Sequence, residues 1–382
     1  MTRLFFCILV AIWACCPIAF AAEAPALSQP EVARLIIGAE KNVKDPQGWA
    51  ADLLDVLKLH DLPASKENIC AAIAVIDQES SFVANPAVAG LGKISEAALR
   101  TKMDRVPVLG RLALRFLETT PSKSDSYLAR IRSARTERDL DLTFRSMVAD
   151  AAKQSSLGII VNSGLLNKQI EGKNEIDTIG SMQVSVDFAL EVARRRRWLP
   201  MSLDDVYAVR DELYTRHGGM YYGVLLLLGY ETGYDRKLYR FADFNAGRYA
   251  SRNAAFQKQI AELTHVVLAT DGDLLLYDSD GKIRDTTSKS EKALRKVLQG
   301  SSFELPDEDI RKDLLHEKDN SFVQTLTYSA LRTIYEKTTG TKPAYAAVPD
   351  IALTSPKIRS KMTTKIFAES VNRRYQACAA RQ

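Results

Sequence analysis

One predicted helix constrains the fold more than any other segment. Residues 65–82 place apolar side chains such as Ile69, Ile73 and Ile76 at spacings of three and four, and Ser65 can cap the helix start. This apolar band must face a core. The same helix carries the polar run Asp-Gln-Glu-Ser-Ser at residues 77–81, so chemically active groups lie at its C-terminal end.

The rest of the chain also reads as helix after helix, and a composition of 46% hydrophobic and 26% charged residues is typical of a globular protein rather than a disordered one. The periodicity predicts helices over residues 31–37, 47–59, 203–217, 218–229, 253–268, 291–298, 323–335 and 364–380, with a helical pattern throughout 94–166. Residues 273–281 instead predict a strand and a tight turn, which is typical of a small hairpin. The predicted class is therefore mainly α.

The N-terminus has the pattern of an export signal. Arg3 is followed by an uncharged run that ends in small residues at Ala22 and is short for a spanning helix, which needs about 20 apolar residues. The first 22 residues are read as a signal peptide with two open routes of processing: ordinary cleavage after residues 19–21, or lipid attachment at Cys15 or Cys16. Both routes predict a periplasmic protein, and the second predicts attachment to the outer membrane through a lipid.

Export also changes the reading of the cysteines and the charge. Ordinary cleavage leaves only Cys70 and Cys378, which in an oxidising compartment can pair and tie the C-terminus to the core, or remain two separate thiols. Removal of Arg3 leaves a net charge of +4, one less than the +5 of the whole chain. A mildly basic exported protein suits an anionic partner such as the cell wall or a membrane face.

The first stretch that carries chemistry is residues 76–82 together with Asn-Pro-Ala-Val at 85–88. Glu79 follows an apolar helix, and both partial burial and the negative end of the helix dipole raise the pKa of a carboxyl in that position. A protonated Glu is what glycosidic cleavage needs, because the leaving oxygen must receive a proton. The alternative is a surface Glu at an ordinary helix end.

Two further stretches accompany it. Residues 180–183 (Gly-Ser-Met-Gln) combine small residues, which allow close backbone approach, with a hydrogen-bonding amide. Residues 239–247, preceded by the apolar helix 218–226, end in Phe-Asn-Ala-Gly, where Gly247 is a natural helix cap. Taken singly, residues 180–183 are better explained as a plain helix start with Met182 in the core, and the alternative for residues 239–247 is an ordinary helix C-cap.

The order and content of the three stretches resemble the soluble lytic transglycosylases and goose-type lysozymes of the lysozyme-like superfamily. The resemblance implies a lysozyme-like helical core in which Glu79 is the catalytic acid and base. It also implies that a set of side chains lines the sugar cleft: Ser80, Ser181, Met182, Gln183, Phe244 and Asn245. As a whole, the chain is similar to an uncharacterised bacterial envelope family whose members are often labelled lipoproteins.

The chain departs from the superfamily pattern in three ways. Glu79 and Gln183 are 104 residues apart, so a large helical insertion of about residues 92–175 must lie between the motifs. Ser181 replaces the usual Leu, and Phe244 replaces a Tyr whose hydroxyl would be expected to bond the catalytic Glu. The predicted organisation is a catalytic domain over residues 23–268 and a C-terminal helical extension over 269–382 that packs on the core and carries the small hairpin.

No second acid lies in the motifs, which favours a single-acid route. The resemblance then implies cleavage of the β-1,4 bond between N-acetylmuramic acid and N-acetylglucosamine in peptidoglycan strands, with 1,6-anhydro ends. One alternative is hydrolysis with a second carboxylate from Glu171, Glu175, Asp177 or Glu231. Another is a non-catalytic glycan-binding envelope protein, for which Phe244 is the only sequence argument.

Other signals predict no further chemistry. The sequence shows no metal-ligand spacing, so we expect no metal or cofactor, and it contains no nucleic-acid-binding motif and no indication of a protein partner. Residues 278–281 have the wrong spacing for a calcium loop and are read as a turn. The run Arg-Arg-Arg-Arg-Trp at 194–198 is read as the basic last turn of a helix, with contact to anionic glycan or lipid headgroups as the alternative.

Overall fold

The structure is a computed structural model that describes residues 25–105, 107–154, 174, 176–278, 281–353 and 362–382. Over these residues it contains sixteen α-helices, one 3-10 helix and four strands of two residues each, which confirms the mainly α class. Of the helices in these ranges, none is long and apolar enough to cross a membrane.

The helices before the second motif are α1 (Gln29–Ala39), α2 (Pro46–Leu59), α3 (Lys66–Ser80), α4 (Leu91–Asp104), α5 (Pro107–Thr119), α6 (Tyr127–Ser133) and α7 (Glu137–Gln154). The second and third motifs lie among β1 (Thr178–Ile179), β2 (Val184–Ser185), α8 (Val186–Arg195), α9 (Leu203–Leu213), α10 (Arg216–Leu228) and α11 (Lys237–Ala246). The remaining elements are α12 (Ala250–Thr264), α13 (Lys289–Leu298), α14 (Asp307–Leu314), the 3-10 helix Asn320–Gln324, α15 (Leu326–Thr339), β3 (Ala352–Leu353), β4 (Met362–Thr363) and α16 (Thr364–Ala379).

Short polar residues begin many of these helices. Ser65 accepts a hydrogen bond from the backbone N–H of Asn68 at 3.3 Å, as predicted from its position before α3. Ser28 and Glu31 form a reciprocal capping box at α1. Such caps satisfy N–H groups that have no partner within the helix, so the helix starts are encoded locally.

The buried side chains form two large clusters. The first contains the apolar faces of α1 to α3 and of α8 to α11, together with α16. The second contains α12 to α15 and the segment before α13, with Phe256 and Phe322 at its centre. The predicted domain boundary at residue 268 falls inside the second cluster, because Phe256 and Ile260 precede it. That boundary stays a prediction.

The last helix returns to the first cluster and packs against α3 and α11. Cys70 in α3 and Cys378 in α16 form a disulfide with their Cα atoms 5.5 Å apart, which decides between the two readings of these cysteines. Because Ser370 bonds Gln78 while Cys378 bonds Cys70, α16 runs antiparallel to α3. The N-terminal end of α16 therefore lies toward the end of α3 that carries Glu79.

The predicted insertion is helical over α4 to α7, and residues 155–173 lie outside the described part of the chain. A buried ion pair joins it to the rest of the protein: Arg210 of α9 donates to Asp141 of α7 at 2.8 Å and to the carbonyl of Ile176 at 2.8 Å. Both charged side chains are almost fully buried. The pair fixes α7 beside the second motif.

Several sequence predictions need correction. The helix predicted over residues 203–217 is divided at Thr215, whose side chain caps α10. After Leu276 the chain makes the predicted antiparallel turn, with a bridge between Tyr277 and Ile283 and a hydrogen bond from the Arg284 N–H to the Leu276 carbonyl at 2.8 Å, but residues 273–277 form no continuous strand. The extension carries its two-stranded antiparallel sheet elsewhere, where Ala352 pairs with Thr363. A second such sheet, β1 with β2, flanks the second motif and was not predicted.

Candidate active site

Glu79 lies in the last turn of α3, just before a conformationally unusual turn. Ser81 and Phe82 both have left-handed backbones, with φ of 49° and 60°. The Phe82 ring is buried edge-on against Trp49 with the ring centroids 5.3 Å apart, and this packing holds the turn. A non-glycine residue is uncommon in this region, so two in succession mark a place where packing overrides backbone preference.

The environment of Glu79 favours its protonated form. Burial raises the pKa of this carboxyl to about 7, and the positive charge of Arg374 acts in the opposite direction. Within the described residues no group donates a hydrogen bond to the Glu79 carboxyl, so Arg374 acts on it through charge alone. The raised pKa agrees in direction with the effect that the sequence predicts for a carboxyl at the end of an apolar helix.

Arg374 comes from α16, which no sequence motif connects to Glu79. Its guanidinium donates to Asp77 at 2.9 Å and to the hydroxyl of Ser370 at 2.9 Å, and Ser370 in turn donates to Gln78 at 2.8 Å. Burial raises the pKa of Asp77, while Arg374 opposes that effect. The C-terminal helix thus holds a fixed cation beside the last turn of α3.

The second motif is a compact turn packed on α10. Gly180 has φ of 85°, and a Cβ atom there would lie 2.2 Å from the carbonyl oxygen of Leu213. Gly223 of α10 allows the side chain of Met182 to lie against the helix backbone, because a Cβ atom at that glycine would come within 2.3 Å of the sulfur. Ser181 and Met182 are fully buried, so they support the turn from inside.

Gln183 is the partly exposed member of this turn and has a left-handed backbone with φ of 48°. Its amide oxygen accepts from the hydroxyl of Thr178 at 3.0 Å. Its amide nitrogen donates to the carbonyl of Gly180 at 3.3 Å and to the carboxylate of Glu137 at 3.4 Å. Glu137 is buried at the start of α7, so the insertion contributes an acid to the second motif that sequence reasoning missed.

The third motif ends α11 as predicted. Gly247 is the C-cap with φ of 103°, and its N–H donates to the carbonyl of Asp243 at 2.7 Å. Asn245 is exposed, and its side-chain oxygen accepts from the hydroxyl of Thr364, the first residue of α16, at 2.9 Å. Phe244 is partly buried against the first cluster. Because this contact uses the side-chain oxygen, the amide nitrogen of the exposed Asn245 can donate to a ligand.

Asp243 fixes the base of this motif. It is fully buried and accepts from the hydroxyls of Tyr230 at 3.1 Å and Tyr234 at 2.7 Å. It also accepts from the backbone N–H groups of Tyr249 at 2.9 Å and Ser251 at 2.6 Å. Burial raises the pKa of Asp243 to about 6 against these stabilising hydrogen bonds. This carboxyl is a structural acceptor with a full set of donors.

The three motifs pack on the same core, but their residues differ in how exposed they are. Phe82, Met182 and Phe241 all belong to the first cluster, which connects the motifs through packing. Ser80 is buried and donates its hydroxyl to the carbonyl of Ile76 at 3.1 Å, so that hydroxyl is used within its own helix. Among the residues predicted to line a cleft, Gln183, Phe244 and Asn245 are at least partly accessible, as is Glu79 itself.

Of the four residues that the sequence offers as a second carboxylate, the structure describes two. Glu171 and Glu175 lie outside the described residues. Asp177 is exposed, and Glu231 is exposed with its carboxylate accepting from Asn320 of the 3-10 helix at 3.2 Å. In the described ranges there is no group of three or more His, Cys, Asp or Glu side chains placed to hold a metal ion.

Fold and site together define a mainly helical protein with a half-buried carboxyl of raised pKa at a helix end, beside a disulfide-bonded C-terminal helix. The chain belongs to the family described as "Protein of unknown function (DUF1615)", which matches residues 42–381. It is similar to "Uncharacterized protein YaiW" of Escherichia coli (strain K12), with 35% identity over 338 residues that cover 88% of this chain and 86% of the relative. No solved structure matches the chain significantly.

Proposed function

We propose that this protein is a periplasmic lytic transglycosylase with a lysozyme-like core, in which Glu79 alone supplies acid and base catalysis on peptidoglycan. The observation that carries the proposal is the half-buried Glu79 carboxyl at the end of α3, whose desolvation raises its pKa to about 7, so that it is protonated in a large fraction of molecules at neutral pH.

The proposed reaction needs one proton carrier. Glu79 donates its proton to the glycosidic oxygen as the bond to C1 of N-acetylmuramic acid breaks. The resulting carboxylate then removes the proton from the 6-hydroxyl of the same sugar, whose oxygen bonds to C1. The products are a free N-acetylglucosamine 4-hydroxyl and a 1,6-anhydro ring, and Glu79 has recovered its proton.

Three observations support this assignment. The order of the motifs resembles that of the lytic transglycosylases, and the export signal predicts the compartment in which the substrate lies. Asn245 presents an amide beside the start of α16, where it can bond a sugar hydroxyl or acetamido group. Left-handed backbones at Ser81 and Gln183 place strained turns in the first two motifs, as is common at functional sites.

The test uses purified peptidoglycan and compares wild type with Glu79→Gln. We expect the variant to lose on the order of 10²- to 10⁴-fold in rate, because the amide cannot transfer a proton. Mass spectrometry of the wild-type products should show anhydro ends. Glu308→Gln is the matched control, since Glu308 is exposed on α14 in the second cluster and should leave the rate unchanged.

Muramidase-type hydrolysis is the second candidate, and Glu137 is the observation that favours it. This buried carboxylate meets the amide of Gln183 and could direct a water molecule on the second-motif side of the site. Hydrolysis leaves a reducing end, so reducing products that disappear in Glu137→Gln would replace the transglycosylase proposal. Equal absence of cleavage by wild type and Glu79→Gln would instead support a glycan-binding protein.

A further inference from the structure

The turn after α8 exposes two large apolar side chains. The side chain of Trp198 is completely exposed, and Leu199 is 78% exposed. Both directly follow four consecutive arginines, residues 194–197. A protruding Trp beside a Leu at the tip of a basic turn is an unusual use of hydrophobic residues on a protein surface.

The base of this turn is held to the protein by its arginines. Arg197 pairs with Asp205 at the start of α9 at 2.7 Å, and the Arg196 guanidinium lies 5.0 Å from the centroid of the Tyr221 ring on α10. These contacts attach the turn to two neighbouring helices. Trp198 and Leu199 therefore project from an anchored base.

Positive charge remains in excess around the two apolar side chains. Arg195 pairs with Glu191 at 2.5 Å on an exposed face, and Arg197 has its pair with Asp205. Four guanidinium groups thus meet two paired carboxylates. Arg194 is exposed at the end of α8, where its charge is available to an anionic ligand.

We propose that residues 194–199 form a docking surface for an anionic lipid bilayer, with Trp198 and Leu199 entering the interface and the arginines contacting lipid phosphates. A Trp ring is favoured where apolar chains meet the hydrated headgroups, and a guanidinium binds phosphate through paired N–H donors. Leu199 favours a bilayer over a glycan strand, because a polar polymer offers its side chain no apolar environment. This surface is separate from the residues assigned to catalysis.

The chain itself supplies a spectroscopic reporter. The sequence has three tryptophans, of which Trp13 lies in the predicted signal, and Trp49 is buried in the first cluster. In the chain from Glu23 onward, a change in fluorescence on binding therefore reports Trp198. We expect a blue shift with vesicles of equal parts phosphatidylcholine and phosphatidylglycerol, and none with phosphatidylcholine alone.

Vesicle sedimentation tests the individual side chains. Trp198→Ala with Leu199→Ser, and separately Arg194→Gln with Arg195→Gln, should each weaken binding about tenfold or more. Leu326→Ser is the matched control, because Leu326 is 69% exposed on α15 but lacks the basic run. Higher salt should also weaken binding, since exposed charges are screened.

Two results would overturn the proposal. One is the same small binding to both kinds of vesicle with no blue shift. The other is unchanged vesicle binding in the Trp198 and Leu199 double variant together with lost sedimentation on purified peptidoglycan, which would assign the surface to the glycan. Because all four replaced side chains are exposed, an unchanged thermal unfolding midpoint should accompany either double variant.

Discussion

At the scale of single residues, the proposed activity depends on a carboxyl that destabilises the fold when it ionises. The pKa of Glu79 lies at about 7 in the folded protein, against an ordinary value of 4.5. The difference corresponds to roughly 3 kcal/mol of unfolding free energy. Such a cost is a common property of groups that are held for chemistry rather than for stability.

This cost predicts a specific pH dependence for Glu79→Gln. The folded wild type keeps a proton that the unfolded chain loses above pH 4.5, so its stability falls as pH rises from about 4.5 to about 7 and the full penalty remains above that. The amide of the Glu79→Gln variant stays neutral, so this loss of stability does not occur in the variant. We expect the variant to be more stable than wild type above pH 7 by up to about 3 kcal/mol, and nearly equal below pH 4.5.

Urea denaturation of both proteins across this pH range measures the difference. Equal stability at every pH would mean that water solvates the Glu79 carboxylate in the folded state. The comparison removes contributions from Asp243 and Glu317, whose pKa values burial also raises, because both proteins contain them.

Arg374 should also affect the pKa of Glu79. Its charge lowers the pKa of Glu79, so Arg374→Gln is expected to move the alkaline limb of the activity profile to higher pH, while Arg374→Lys keeps the limb close to its wild-type position. Arg373→Gln is the matched control, because Arg373 is the exposed neighbour on the same helix. The profile of rate against pH measures the effect, and an unmoved limb in Arg374→Gln would show that this guanidinium does not act on Glu79.

At the scale of elements, α16 is part of the candidate site although it follows the third motif by more than a hundred residues. Thr364 bonds Asn245 near the helix start, Arg374 lies beside Asp77 in its middle, and Cys378 is linked to Cys70 near its end. These contacts attach α16 to both α3 and α11. The helix therefore couples the first motif to the third.

Removing the disulfide should loosen this helix. We expect Cys70→Ala with Cys378→Ala to lose roughly 2–5 kcal/mol of unfolding free energy, because the link closes a very long loop in the unfolded chain. Hydrogen exchange should quicken in α16 more than in α12, which lies in the second cluster. Adding a reductant should affect wild type but leave the double variant unchanged. Equal exchange in α16 with and without the link would mean that packing alone holds the helix.

At the scale of the whole molecule, Asp243 connects the two large clusters. It lies on α11 in the first cluster and accepts the N–H groups of Tyr249 and Ser251, where the chain enters α12 of the second. Two tyrosine hydroxyls complete its set of donors. The junction thus depends on a carboxylate. An amide at this position would direct its own N–H groups at the N–H group of either Tyr249 or Ser251.

Asp243→Asn should therefore cost roughly 2–3 kcal/mol of unfolding free energy, as expected when a buried donor loses its acceptor. Asp235→Asn is the control, because Asp235 is exposed in the loop before α11. Denaturation followed by both fluorescence and circular dichroism measures the loss. A stability equal to that of the control would show that the tyrosine hydroxyls reorganise around the amide.

Local patterns determined much of this protein. The apolar band of α3 and the caps at Ser65 and Gly247 predicted real helices, because helix periodicity and capping depend on residues a few positions apart. The predicted desolvation of Glu79 has the same origin, since the helix that carries it had to be buried. The sequence showed that residues 194–198 are basic and aromatic, but it did not show that the side chain of Trp198 is exposed.

Only the tertiary structure decided which distant residues lie beside the motifs. The placement of Arg374 beside the end of α3 and of Glu137 beside Gln183 joins residues 297 and 46 positions apart, respectively, and contacts at such separations leave no periodic signature in the sequence. The two readings of Cys70 and Cys378 were likewise equal until the fold brought their Cα atoms to 5.5 Å. The packing of the whole chain determines such partners, because each single contact contributes only a small part of the free energy of folding.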